Sequence, residues 1–159
     1  MSERSRGAAP AAPQATPLQV APGVAVLTER VVEQLLAELA QVDGVALSGH
    51  EETYRLLIGV AIRDPAELER LREQTVASLI EYDTKHETEL METLQAFFTH
   101  HGSTVETAEA MALHRHTVGY RLARVHEVSG LSPYESDGRE RLSLGLKANA
   151  ILRAVQNIF

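Results

Sequence analysis

Three observations place the chain in the all-α class, as a compact helical bundle that contains a helix-turn-helix and carries a disordered N-terminal tail. Apolar residues recur at spacings of three and four along most of the chain, which is the period of a helix with one buried face. Helix starts and stops are legible in residue type, with Asp64-Pro65 and Ser103 at starts and Gly102 and Gly130 at ends. Finally, Ser103 to Gly130 reads as two short helices joined by a tight turn, and the rest of the chain is organised around it.

Composition bounds the rest. Of 159 residues, 44% are apolar and 4% aromatic, with no Trp and no Cys. That size suits one ordinary domain plus a tail, with a core of Leu, Val, Ile and Ala. Without cysteine there is no disulfide framework, thiolate metal site or cysteine nucleophile, which fits a reducing cytoplasm. No run approaches the ~18 uninterrupted apolar residues of a membrane span, so none is expected. The net charge of −7 argues against indiscriminate coating of nucleic acid. It leaves a sequence reader open, because affinity depends on where the charge sits.

In chain order, residues 1–25 are rich in Ala and Pro and are expected to be a disordered tail. Residues 26–82 form an N-terminal helical segment. Its first helix, Leu27 to Ala40, has a stripe of Leu27, Val31, Leu35 and Leu39, broadened by Val32 and Leu36. Val42 to His50 is a turn or a short strand. Thr53 to Ile62, TYRLLIGVAI, reads as a buried helix. Asp64-Pro65-Ala66-Glu67 opens the next, which is expected to run to about Ile80 with Leu68, Leu71, Thr75, Val76 and Leu79 on one side. Its Glu69, Arg70, Arg72 and Glu73 look like a solvated face.

Residues 83–159 are the helix-turn-helix domain. Tyr82 to His86 is polar and reads as a break. A helix then runs to about His100, with Leu90, Leu94, Phe97 and Phe98 as its stripe and Gly102 as its cap. The phenylalanines fall on the apolar stripe and are read as core. Ser103 and Glu106 have the spacing of a capping box, and Val105, Ala108 and Ala112 give the following helix a narrow apolar face. The second helix of the pair buries Val118, Leu122 and Val125, so His116, Tyr120, Ala123 and Arg124 point away, with Arg115 and Arg121 on the flanks. No acid occurs from Ala110 to His126. Leu131 to Gly138 is a loop, and a final helix runs from about Arg139 to Gln156 on Leu142, Leu146, Leu152 and Val155.

HRHTVGYRLARVHEVSGL resembles the recognition segment of the C-terminal domain of PucR-type regulators, bacterial transcription factors of the purine-catabolism and sugar-diacid regulator type. The preceding ETELMETLQAFFTHHGSTVETAEAM and the later RERLSLGLKANAIL resemble that domain too, in the same order. The resemblance covers roughly Thr53 to Val155 and is most specific from Leu90 to Leu131. It implies a sequence-specific reader of double-stranded DNA that acts as a homodimer, with a recognition helix over about 115–128. Relatives of this kind usually carry much larger sensing domains upstream. Roughly 50 residues precede the resemblance here, so no small-molecule effector is expected of this chain, and no cofactor.

With that resemblance, Arg115 is the first choice for contact, since arginine near a recognition-helix N-terminus can pair with guanine O6 and N7. Thr117 can bond phosphate or touch a thymine methyl, or simply cap the helix. Tyr120 can donate to phosphate or pack on the neighbouring helix. Arg121 and Arg124 are expected as phosphate clamps. Ser103 and Thr104 offer the first helix's N-terminus to a phosphate. The family pattern often has Asn where this chain has His116, and Arg where it has Gly119. His116 can still donate. Gly119 contributes no side chain and costs about 1 kcal/mol relative to Ala in a helix interior.

Other classes fit less well. His100, His101, His114 and His116 invite a metal reading, but His114 and His116 are two apart on a helix and diverge by about 200°, and no cysteine assists. No nucleophile motif or phosphate-binding glycine loop is present, so no enzyme is expected. The alternative that competes is an all-helical dimerisation or protein-interaction module whose helix-turn-helix is degenerate.

Overall fold

A computed structural model of the protein describes residues 22–42, 45 and 47–158; the expected tail lies outside these residues as far as residue 21. Eight helices form among them: α1 Pro22–Ala40, α2 Glu51–Arg63, α3 Pro65–Thr75, α4 Ala77–His86, α5 Leu90–Thr99, α6 Thr104–Ala110, α7 Arg115–Ser129 and α8 Ser136–Ile158. No described residue is in a strand, so the segment after α1 is turn and bend where it is described. α1 opens at Pro22, within the stretch assigned to the tail, because proline is preorganised for the first helical position.

The helices bury two apolar clusters. One gathers Leu35, Leu36 and Leu39 of α1, Tyr54 and Ile58 of α2, Leu68 of α3, and Ala148, Ile151 and Leu152 of α8. The other gathers Val76, Leu79 of α4, Leu90, Leu94 and Phe97 of α5, Ala108 of α6, Val118, Leu122 and Val125 of α7, and Leu142 and Leu146 of α8. α8 has 23 residues, about 35 Å at the helical rise, and it is the one helix that enters both clusters.

Gly145 allows α8 to do so. It lies where α8 crosses the end of α3, and a Cβ there would overlap Thr75 Oγ1 and sit 2.6 Å from Thr75 Cβ. Thr75 is buried at this crossing, and its hydroxyl donates to the Leu71 carbonyl at 2.6 Å. At the same point the helix expected to continue to Ile80 divides. Val76 departs to φ −112°, ψ −10°, and α4 restarts at Ala77. The expected stripe still faces inward, but Leu68 and Leu71 serve one cluster and Val76 and Leu79 the other. The start of α8 is set by a second close approach, at Gly138, where a Cβ would lie 2.8 Å from the Ser132 nitrogen. α8 therefore opens at Ser136, three residues before the expected Arg139.

Two further expectations shift. α2 is buried on one side only: Tyr54, Ile58 and Ala61 face inward, while Leu56 is 71% exposed. Tyr82 to His86, expected as a break, is the last turn of α4, and the chain turns only at Glu87, with φ +52°. The polar residue there serves the next helix. Asp83 accepts from the amides of Leu90 and Met91 at 2.8 and 2.9 Å, and from the Thr88 hydroxyl at 2.6 Å. It thus supplies α5 with the acceptor that its first amides need. The Asp64 cap forms as expected, accepting from the Ala66 amide at 3.2 Å with Pro65 at the first position of α3.

Gly145→Ala is expected to lower stability by about 1–3 kcal/mol, the usual cost of overpacking a closed contact. Urea denaturation measures it, and an unchanged midpoint would show that the crossing yields easily.

Candidate nucleic-acid interface

α5 is the floor of the helix-turn-helix. Leu90, Thr93, Leu94 and Phe97 are buried, and Phe98 packs beside them. The chain leaves α5 through two left-handed residues, His101 and Gly102, with φ +53° and +79°. Gly102 N–H closes the helix on the Phe97 carbonyl at 2.9 Å. Ser103 then caps α6, its Oγ accepting from the Glu106 amide at 3.2 Å. The inward face of α6 is Thr107 and Ala108, in place of the expected Val105, Ala108 and Ala112. Thr107 can be buried because its hydroxyl donates to the Ser103 carbonyl at 2.6 Å. Val105 is 52% exposed, and Ala112 lies beyond the end of the helix, in the turn.

That turn is tight. Ala112 adopts φ +53°, and the Leu113 amide reaches back to the Ala108 carbonyl at 2.9 Å. Leu113 tucks against the core, which returns the chain for α7. His114 is the cap of α7, with its Nδ1 accepting from the His116 amide at 3.1 Å. The two imidazoles therefore sit 4.6 Å apart instead of diverging. Histidine is not among the usual capping residues, so residue type alone places His114 inside the helix.

α7 buries Val118, Leu122 and Val125, as its periodicity requires, and ends on Gly130 at φ +75°. This orients the remaining side chains. Arg115, His116 and Tyr120 are exposed, and Thr117 is half-exposed. Arg115 makes no ion pair among the described residues. Arg121 is turned toward α5, where its Nη1 donates to Glu89 Oε2 and Thr93 Oγ1, both at 3.2 Å. Arg124 lies along its own helix. It donates to Glu127 Oε2 at 2.8 Å and to the Tyr120 hydroxyl at 2.7 Å, with its guanidinium 5.5 Å from that ring's centre. The hydrogen bond to Tyr120 is the largest of the effects holding Arg124 firmly in its charged form. Because Tyr120 accepts from Arg124, its own hydroxyl hydrogen points elsewhere. Ser103 and Thr104 lie half-exposed at the other helix start. The exposed carboxylates of Glu106, Glu109 and Glu127 border this surface.

The turn and α7 carry residues in exchanged places: alanine stands at a left-handed position, and glycine stands inside a helix. Ala112 bears strain of about 1–2 kcal/mol for that backbone, partly offset by glycine's greater freedom when unfolded. A Cβ at Gly119 would meet nothing within 4 Å. Ala112→Gly and Gly119→Ala are each expected to raise stability by about 0.5–1 kcal/mol, read as higher urea midpoints. A loss in either variant would show that the local backbone is held by something other than these preferences.

Residues 90–148 match the family model described as the PucR C-terminal helix-turn-helix domain. No curated protein and no solved structure matches the chain. The matched stretch takes in α5, the capped turn, α6, α7 and the first half of α8. Over these residues the chain is similar to a PucR-type C-terminal helix-turn-helix domain.

Proposed function

We propose that this chain is a sequence-specific, DNA-binding transcriptional regulator that acts in the cytoplasm as a homodimer on double-stranded DNA. Arg115 carries the reading. It is an exposed cation without an ion-pair partner among the described residues, at the first position of a 15-residue helix. That helix is fixed on its inner face by Val118, Leu122 and Val125 and presents no acid before Glu127. A helix held this way can enter a major groove with its N-terminal side chains toward base edges. His116 and Thr117 stand beside Arg115 to read or bond phosphate. Tyr120 has a hydroxyl hydrogen to donate, and Arg124 is braced against it. Ser103 and Thr104 bring the start of α6 to the backbone. In a two-fold dimer, the two recognition helices would enter successive major grooves about 34 Å apart.

One observation favours the second reading, a dimerisation module with a degenerate helix-turn-helix. Arg121 and Arg124 already hold carboxylate partners, Glu89 and Glu127, and Gly119 offers no side chain.

Selection from a random duplex pool separates the two. The regulator is expected to enrich a two-fold symmetric site, and Arg115→Ala to lose about 1–3 kcal/mol of specific binding. A folded dimer that enriches nothing would establish the interaction module instead. Salt dependence gives an independent check. Gly119→Arg is expected to tighten binding and steepen the slope of log affinity against log salt by about one unit, while Arg124→Ala flattens it by about one. A change of base preference in Arg124→Ala would mean that this residue reads sequence.

A further inference from the structure

We infer that the open cavity lined by the start of α2, the end of α5 and the first half of α8 binds a small organic anion, one with a phosphate or carboxylate group on a compact aromatic or apolar body. The inference is independent of whether α7 reads DNA, and it departs from the expectation that this chain holds no effector.

The cavity measures about 340 Å³, within the range of small-molecule sites. His50, His101, Arg139 and Lys147 line it, and no carboxylate does. That is unusual in a chain with 22 acids against 15 lysines and arginines. The cations there have only neutral partners. Lys147 Nζ donates to Ser143 Oγ at 2.8 Å. Arg139 donates to the carbonyls of Pro133 and Tyr134 at 3.4 and 3.3 Å. Neither forms an ion pair among the described residues. Arg139 and the two histidines are exposed, but Lys147 is half-buried, and a half-buried cation without a counter-charge is unfavourable; a bound anion supplies that charge.

The side chains register this environment. Burial lowers the pKa of Lys147. His50 is lowered first by burial, then by the charges of Lys147 and His101. The remaining wall suits a flat apolar body. Phe98 lines it, as does Tyr54, whose ring centre lies 5.9 Å from Lys147 Nζ. Burial pushes the Tyr54 phenol up to about 12, so it stays neutral beside an incoming anion.

The test is calorimetric titration of the full chain with phenyl phosphate and with benzoate at constant ionic strength, with benzyl alcohol as the neutral control. One-to-one saturable binding is expected for at least one anion and not for the alcohol. Which anion binds identifies the charged group. Lys147→Met, a neutral side chain of similar length, and His101→Gln are each expected to weaken binding at least tenfold. Arg115→Ala, on the other face, should leave it unchanged. The inference is overturned if neither anion saturates, if benzyl alcohol binds equally well, or if both cavity variants bind as the parent does. It is equally overturned if Arg115→Ala abolishes binding, because the anion would then be sitting on α7.

Discussion

The approach of α8 to the end of α3 at Gly145 and Thr75 is the contact on which the rest of the fold depends. A side chain at 145 would press on Thr75 and Val76 and push the two helices apart, at a cost to the packing of both clusters. The consequence reaches the helix-turn-helix directly. A unit of about 60 residues buries only about 60% of its unfolded surface and is marginal alone. Here the last helix of that unit continues to Ile158 and places Ile151 and Leu152 in the other core. Leu142 and Leu146, which belong to the same cluster as the buried face of α7, are therefore on a helix anchored well outside the matched domain. The same crossing splits α3 from α4, so that Val76 and Leu79 can reach the second cluster.

The outer surface of α7 is polarised by how its arginines are used. All three belong to one helix, yet Arg121 is tied to Glu89 across to α5 and Arg124 to Glu127 on α7 itself. Exposed ion pairs of this kind are worth ~0–1 kcal/mol, so a phosphate can compete for either arginine, at the cost of that pair. Arg115 starts with no such cost. On the proposed reading, the N-terminal end of α7 carries most of the attraction. The chain's net charge of −7 then suppresses binding to unrelated sequence and leaves specific contact and dimer geometry to set affinity.

Much of this is legible in the sequence. The helical period locates the helices, because each presents a buried stripe to one of two cores, and α8 to both. The spacing of Val118, Leu122 and Val125 alone identifies the inner face of α7, and therefore its outer face. Local signals with one partner in reach are also readable, such as Asp64 before Pro65 and Ser103 before Glu106. What escapes are features set by contacts distant in sequence. The break at Val76 depends on Gly145, 69 positions later. Asp83 caps a helix that begins seven residues on, so its polarity looks like a break. Arg121 looks like a free flank residue because Glu89 and Thr93 lie on another helix. The cavity draws residues from three helices and two turns, and no window of sequence contains it.

The cavity and α7 share a mechanical element. His101 lines the cavity and, with Gly102, makes the left-handed exit from α5 that sets where Ser103 begins α6. α6 and α7 are packed together through Ala108, Val118 and Leu122, so a shift at the start of α6 is passed to the helix that carries Arg115. Arg139, Ser143 and Lys147 sit on the opposite wall, on α8, the first two between the close approaches at Gly138 and Gly145 and Lys147 two residues beyond. An anion drawn to both walls would hold the exit turn against the most constrained stretch of the molecule. A ligand can move an equilibrium only by its differential affinity for the two states. Coupling to DNA would therefore require the position of the exit turn to differ between DNA-bound and free forms. Without such a difference, the same anion would stabilise the fold and leave the recognition helix as it is.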